Sequence, residues 1–245
     1  MIPIPARFPI ILVLLATILA VSCTETQVVQ RTQEEIAFAR EAVVEMTDMV
    51  VKASANILSE NKRWTPTASQ MIPGSAVPIV DSVATIPGIE LLLESYLKEV
   101  VDAVASIGGQ VHEFYEDSLK QAIPIDDPFE IIGGDEDAIT RHFASEAATK
   151  LEIWIIEQLN GETGKKAVEA WNELLWTYNT YAAANNRLYP ENEESHIDSI
   201  EESIHRTVAV QFIRRFIETM TSQEALLRTM APAYDDPRIT IFGTL

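Results

Sequence analysis

The chain has 245 residues, 47% of them apolar, which is enough for a real core and too many for global disorder. Eighteen basic residues stand against 37 acidic ones, and the net charge of -19 repels phosphate backbones and anionic headgroups. Nucleic acid is thereby excluded as a partner, whereas a cationic partner, divalent cations or plain solubility fit. The single cysteine excludes an internal disulfide in any compartment.

That cysteine closes an apolar run. Met1 to Phe8 carries one cation, Arg7, besides the amino terminus. Ile10 to Val21 is almost wholly apolar, and Ser22, Cys23 and the polar Thr24-Glu25-Thr26-Gln27 follow. The run is shorter than the roughly 20 residues a spanning helix needs. It ends in small residues, as a cleaved secretory signal does. Leu19-Ala20-Val21-Ser22-Cys23 resembles a bacterial lipobox, with Ala20 where leucine is usual. The resemblance implies cleavage after Ser22 and lipidation of Cys23, whose two or three acyl chains would anchor durably where one would not. Thr24 in place of aspartate leans towards the periplasmic face of the outer membrane. An ordinary signal peptide with an incidental cysteine, or an uncleaved anchor, is the alternative.

A polar tether reaches Arg31. Thr32 and Glu35 fit a capping box, and Ile36, Ala39, Val43, Met46, Val50, Ala53 and Ile57 form a heptad-like seam on the helix that follows. The seam suits intramolecular packing in a bundle, with self-pairing as the alternative. Residues 61–88 hold Pro66, Pro73, Pro78 and Pro87, each costing about 3 kcal/mol inside a helix, so they form a connector. Val77, Ile79, Val80, Val83 and Ile86 are expected to pack part of it onto the body. Helical periodicity returns at Ile89 and breaks at Gly108-Gly109. A second segment carries Val111, Phe114, Tyr115 and Leu119 to Pro124.

Asp127-Pro128 opens a single turn, stopped by Gly133-Gly134, and Asp135 is expected to cap the next helix. That helix places Ile139, Phe143, Leu151 and Ile155 on one face. The one after it carries Trp171, Leu174, Tyr178 and Tyr181 and fades at Asn185-Asn186. Beyond the acidic loop from Glu191 to Glu194, a long helix is expected from Ile197. Thr221 and Glu224 then box a last short helix, and the alternating tail Arg238 to Phe242 is expected to lie extended. The fold class is all-α: a multi-helix bundle with a proline-rich connector and a short extended C-terminal tail. The expected divisions are 1–22, a signal peptide; 23–65, a tether and helix; and 66–245, a helical domain.

Within that domain, Ala122-Ile123, Phe129-Glu130-Ile131-Ile132-Gly133-Gly134-Asp135, Ala138-Ile139-Thr140 and Phe143 resemble the signature of domain-of-unknown-function family 4197, which are exported bacterial helical proteins. Glu224-Ala-Leu-Leu-Arg228 with Pro232, and Phe242-Gly243, echo its C-terminal part. The resemblance implies export and a helical fold, and it implies no activity.

The chemistry is thin. Glu193 with His196 and Glu202 with His205 have the spacing of carboxylate-bridged metal sites, but on one helix the two pairs would point apart. His112 with Glu113 and Glu116 lacks the second histidine of a zinc motif, and His142 with Glu146 is an i,i+4 pair. No metal, cofactor or catalytic set is expected; clustering of His112, His142 or His205 with carboxylates in space would reopen the question. Gly161 to Lys166 lacks the spacing and the strand of a phosphate loop. Trp171, Trp176, Tyr178 and Tyr181 are candidates for an apolar groove, although core packing is the ordinary role of such residues. Function is accordingly expected to be a non-enzymatic binding or scaffolding module of the cell envelope, anchored to the membrane through its lipid and meeting a protein partner. The alternative is a carrier of an apolar ligand or lipid.

Overall fold

A computed structural model describes residues 31–60, 66–191 and 195–243. The expected signal peptide, Cys23, most of the tether and Glu193 lie outside the described residues. The chain divides into two units, one ending at Glu35 and the other running from Ile36 to Leu245. In the first, the capping box is present. The Glu35 amide donates to Thr32 Oγ1 at 3.2 Å, and the Thr32 amide donates to Glu35 Oε2 at 2.7 Å.

Every regular element among the described residues is helical. Helix α1 (Gln33–Glu60) buries Ala39, Val43, Met46 and Val50 along the expected seam, then departs from it. Val51, Ser54, Ala55 and Leu58 are inside at its end, while Ile57 is exposed. A straight helix drifts about 20° per heptad against a strict seven-residue repeat, and the buried stripe follows that drift. The Thr47 and Ser54 hydroxyls, both buried, donate to the Val43 and Val50 carbonyls one turn back, each at 2.7 Å. The side chains of α1 join the same core as those beyond residue 66, so the core continues across the expected division at 65.

From residue 66 onward the proline-rich connector forms two short helices, α2 (Ala68–Met71) and α3 (Val77–Asp81), separated by a 3₁₀ turn at Gly74–Ala76. Pro78 sits in the first turn of α3, where its missing N–H has no helical partner to lose. Met71, Ile72, Ala76, Ile79 and Ile86 are buried, and Tyr96 donates its hydroxyl to the Met71 carbonyl. Val77 stays exposed.

Helix α4 (Ile89–Phe114) passes through Gly108-Gly109 without a break, correcting the expected interruption. The glycines serve contact rather than termination. A Cβ on Gly108 would lie 2.9 Å from Leu58 Cβ and 3.3 Å from the α1 backbone, so α1 and α4 meet where there is no side chain. A π-helical turn at Tyr115–Leu119 continues α4 and buries Tyr115 and Leu119.

The single turn α5 (Pro128–Ile132) forms as expected, with the Asp127 carboxylate accepting from the Phe129 and Glu130 amides. The turn after it differs in two respects. Gly133, at the end of α5, has φ -84°, and among the described residues only Gly88, at 82°, has a positive φ. Asp135 does not cap: α6 (Ala138–Asn160) starts three residues later, and the exposed Asp135 carboxylate faces Arg141 at 3.2 Å.

Helix α7 (Lys165–Leu188) runs past Asn185-Asn186, whose carboxamides are satisfied by the next segment and so do not unwind the helix. Helix α8 (His205–Met230) begins later than Ile197 because the backbone of Ile197 and Ile200 is bonded to side chains of α7. It passes through Thr221 and absorbs the expected last helix. The tail is not extended. Asp236 caps α9 (Pro237–Thr240), a 3₁₀ turn follows at Ile241–Gly243, and Ile239 and Phe242, three residues apart, are buried on one side. Helix α4 packs mainly on α7, and α6 on α8. The rings of Tyr96 and Trp171 lie 5.2 Å apart across the first pair, and those of Phe143 and Phe216 lie 6.0 Å apart across the second. Among the described residues no helix is long and apolar enough to cross a membrane.

Candidate binding groove and its supports

Four side chains of α7 hold the backbone of the segment that follows it. Asn186 donates to the Ile197 carbonyl at 2.9 Å and accepts from the Ile197 amide at 3.0 Å. Asn179 does the same for Ile200, with both contacts at 2.8 Å. Asn185 donates to the Ser195 carbonyl at 2.6 Å, and the Trp171 indole donates to the Glu202 carbonyl at 2.7 Å. One carboxamide can satisfy both groups of one residue only where its N–H and C=O point the same way, as in an extended strand. The backbone of Ile197 and Ile200 is thus held against α7 rather than in a helix, with Ile200 and Ile204 anchored in the core.

Beside this segment lies an open groove of about 540 Å³, in the size range of ligand sites. One wall is His196 to Ile200. The other is the α3 region, with Ser75, Pro78, Asp81, Ser82, Thr85 and Ile86, and Tyr178 and Tyr181 of α7 also line it. Among the described residues, its charged or titratable groups besides the tyrosines are Asp81, Asp198 and His196, and no lysine or arginine is among them. Burial, with Asp198 nearby, raises the Tyr178 phenol above its ordinary range, so it remains neutral. His196 Nδ1 lies 3.6 Å from Asp198, with the two side chains 59% and 97% exposed. No serine hydroxyl among the described residues hydrogen-bonds that imidazole, so this pair is not wired to a nucleophile.

The four aromatics expected to share one groove are divided. Tyr178 and Tyr181 line it, Trp171 is 1% exposed and packs on Tyr96, and Trp176 is 69% exposed on the outer side of α7. Leu151 and Ile155 are fully buried in the core.

A second cluster joins distant parts of the sequence. Glu224 is fully buried and accepts from the Ile139 and Thr140 amides at 2.9 and 2.8 Å and from the Thr140 hydroxyl at 2.8 Å. It thus does for α6 what Asp135 was expected to do. Arg228 donates to Glu224 at 2.9 Å and to the Ile131 and Ile132 carbonyls, both at 2.9 Å, and its guanidinium lies over the Phe242 ring. Carboxylate at a helix N-terminus and guanidinium at carbonyls closing another helix each meet the favourable end of a backbone dipole.

Among the described residues the histidine criterion is met once. His112 Nε2 lies 3.0 Å from Asp48, a residue of α1 that no local pattern connects to it, and Glu116 completes a trio of ligand-type groups. Lys120 occupies the neighbouring position, 2.6 Å from Glu116 and 3.6 Å from Asp48. Burial disfavours the Asp48 anion, but Glu116, His112 and the Lys120 ammonium around it hold its pKa below the ordinary aspartate value. The arrangement braces α1 against the end of α4 and the π-turn, with the Lys120 ammonium between two carboxylates. His142 and His205 each leave Nε2 buried without a hydrogen-bond partner, and burial lowers the His205 pKa.

No family model, curated protein or solved structure matches the chain.

The groove and its asparagine clamp escaped the sequence reading because Asn185-Asn186 carries the signal of a helix end. The usable signal was the heptad-spaced Asn179 and Asn186 on one face of α7, followed by Ile197 and Ile200 three residues apart. The Asp48–His112 contact left no sequence signal at all.

Proposed function

We propose that this protein is an exported lipoprotein of the bacterial cell envelope and acts as a non-enzymatic binding module. Cys23 is the lipid attachment point, and the groove beside His196–Ile200 receives a partner. The observation that carries the binding role is the groove itself. A chain segment that could have continued α8 is instead held open by four α7 side chains and presents one wall of a 540 Å³ recess. The export reading is supported by the small-residue boundary before the chain's single cysteine. The resemblance to the exported helical family belongs to the same proposal. The mixed polar lining favours a polar ligand over a carried lipid.

The address is tested at Cys23. Cys23→Ala is expected to abolish metabolic labelling with fatty acid and to move the protein from the membrane to the soluble fraction. Retained labelling or unchanged membrane partition would reject the anchor.

A further inference from the structure

His112 and Glu116 stand four residues apart, so the end of α4 and the π-helical turn that continues it put them on one face. Asp48 reaches them from the middle of α1, 64 residues earlier than His112. Each of the three offers one ligand atom, an imidazole nitrogen or a carboxylate oxygen, and these atoms all lie within 4.8 Å of one another. Zinc bonds of about 2.0–2.2 Å set tetrahedral ligands about 3.3–3.6 Å apart, so side-chain shifts of about 1 Å close the trio on an ion. The His112, Asp48 and Glu116 side chains are 28%, 21% and 40% exposed, which gives an ion a way in from solvent.

Charge asks for a cation at this place. Two carboxylates so close together stay ionised only with positive charge between them. Lys120 supplies it in part, with Nζ 2.6 Å from Glu116 and 3.6 Å from Asp48. One ammonium answers one of the two negative charges, and it sits on a flexible four-carbon stem that can swing into water. A divalent ion answers both carboxylates and also takes the imidazole lone pair. Mixed nitrogen and oxygen donors suit zinc and its first-row neighbours, whereas calcium and magnesium take oxygen ligands. We propose that Asp48, His112 and Glu116 bind a divalent transition-metal ion of the zinc class, which displaces the Lys120 ammonium and ties α1 to the end of α4. None of the three lines the groove at His196–Ile200, so the proposal stands independently of the groove. An ion held by residues from two distant helices binds the folded chain and not the unfolded one, and so stabilises the fold.

The test titrates zinc into the untagged full chain against a fluorescent zinc chelator. Cys23→Ala is the background throughout, so that the lone thiol contributes no ligand. One ion per chain is expected, unaffected by a hundredfold excess of calcium or magnesium, and zinc should raise Tm. Loss of an outer hydrogen-bond partner already weakens metal sites by about 10–100-fold, so His112→Gln and Asp48→Asn should each cost at least about tenfold in affinity. Lys120→Met removes the competing cation and should tighten zinc binding several-fold, a gain that misfolding does not produce. His196→Gln should leave the affinity within twofold. A Kd weaker than about 0.1 mM would overturn the proposal. So would affinity indifferent to His112→Gln, affinity lowered by Lys120→Met, or loss of the ion with His196→Gln.

Discussion

Glu224 carries an ionisable group with no exposed surface and spends its oxygens on two amides, a hydroxyl and a guanidinium. Removing one partner of such a pair leaves a buried guanidinium uncompensated, at a cost of about 3–5 kcal/mol. Glu224→Ala is therefore expected to lower unfolding free energy by that amount in a urea titration; a loss under about 1 kcal/mol would contradict the account of this network. His205 works through pH instead. Burial lowers its folded pKa below the unfolded value of about 6.5, so the unfolded chain binds the proton more readily. Its contribution is present above the unfolded pKa and is lost as pH falls through the folded one. His205→Gln should flatten that part of the stability profile between about pH 7 and 5, and an identical profile would remove His205 as its source. Sequence singled out Glu224 and His205 as residues of interest but misread their roles. A capping box is local and a single chain segment displays it, whereas Glu224 caps a helix 84 and 85 residues away.

At the scale of elements, glycine shows where local signals mislead. Gly108-Gly109 and Gly133-Gly134 both read as helix stops, yet the first pair lies inside α4 at its contact with α1. At Gly134 a Cβ would sit 2.8 Å from Ala138 Cβ and 2.8 Å from the Glu130 carbonyl. Gly134→Val is expected to destabilise through collision with the joined ends of α5 and α6. The expected loss is about 1–3 kcal/mol, typical of overpacking, and should appear as a lower Tm; an unchanged Tm would reject the close approach. The elements that were legible were the ones with uninterrupted apolar periodicity: α1, α6, α7 and most of α8. Those that were not legible depended on a partner. Ile197 to Ile204 has helical spacing, and the carboxamides of α7 override it by taking its backbone groups. The tail reads as a strand, and the Asp236 cap with Pro237 makes it a helical turn.

At the scale of the whole molecule, the described residues form an acidic helical body with a groove beside the α7-held segment, lined by the Asp81 and Asp198 carboxylates. The all-α class followed from periodicity alone, and the continuity of one core from Ala39 to Phe242 required the contacts of α1 to be seen. The central claim is that this body, held at the envelope by Cys23, receives a partner in the groove at His196–Ile200. Its most direct test is site-specific photocrosslinking in intact cells, with the photoreactive residue at Ser199 in the groove or at Trp176 on the outer side of α7. The account predicts a discrete adduct from Ser199, little from Trp176, and loss of the Ser199 adduct when Cys23→Ala releases the protein. No adduct from Ser199, or equal adducts from both positions, would contradict it.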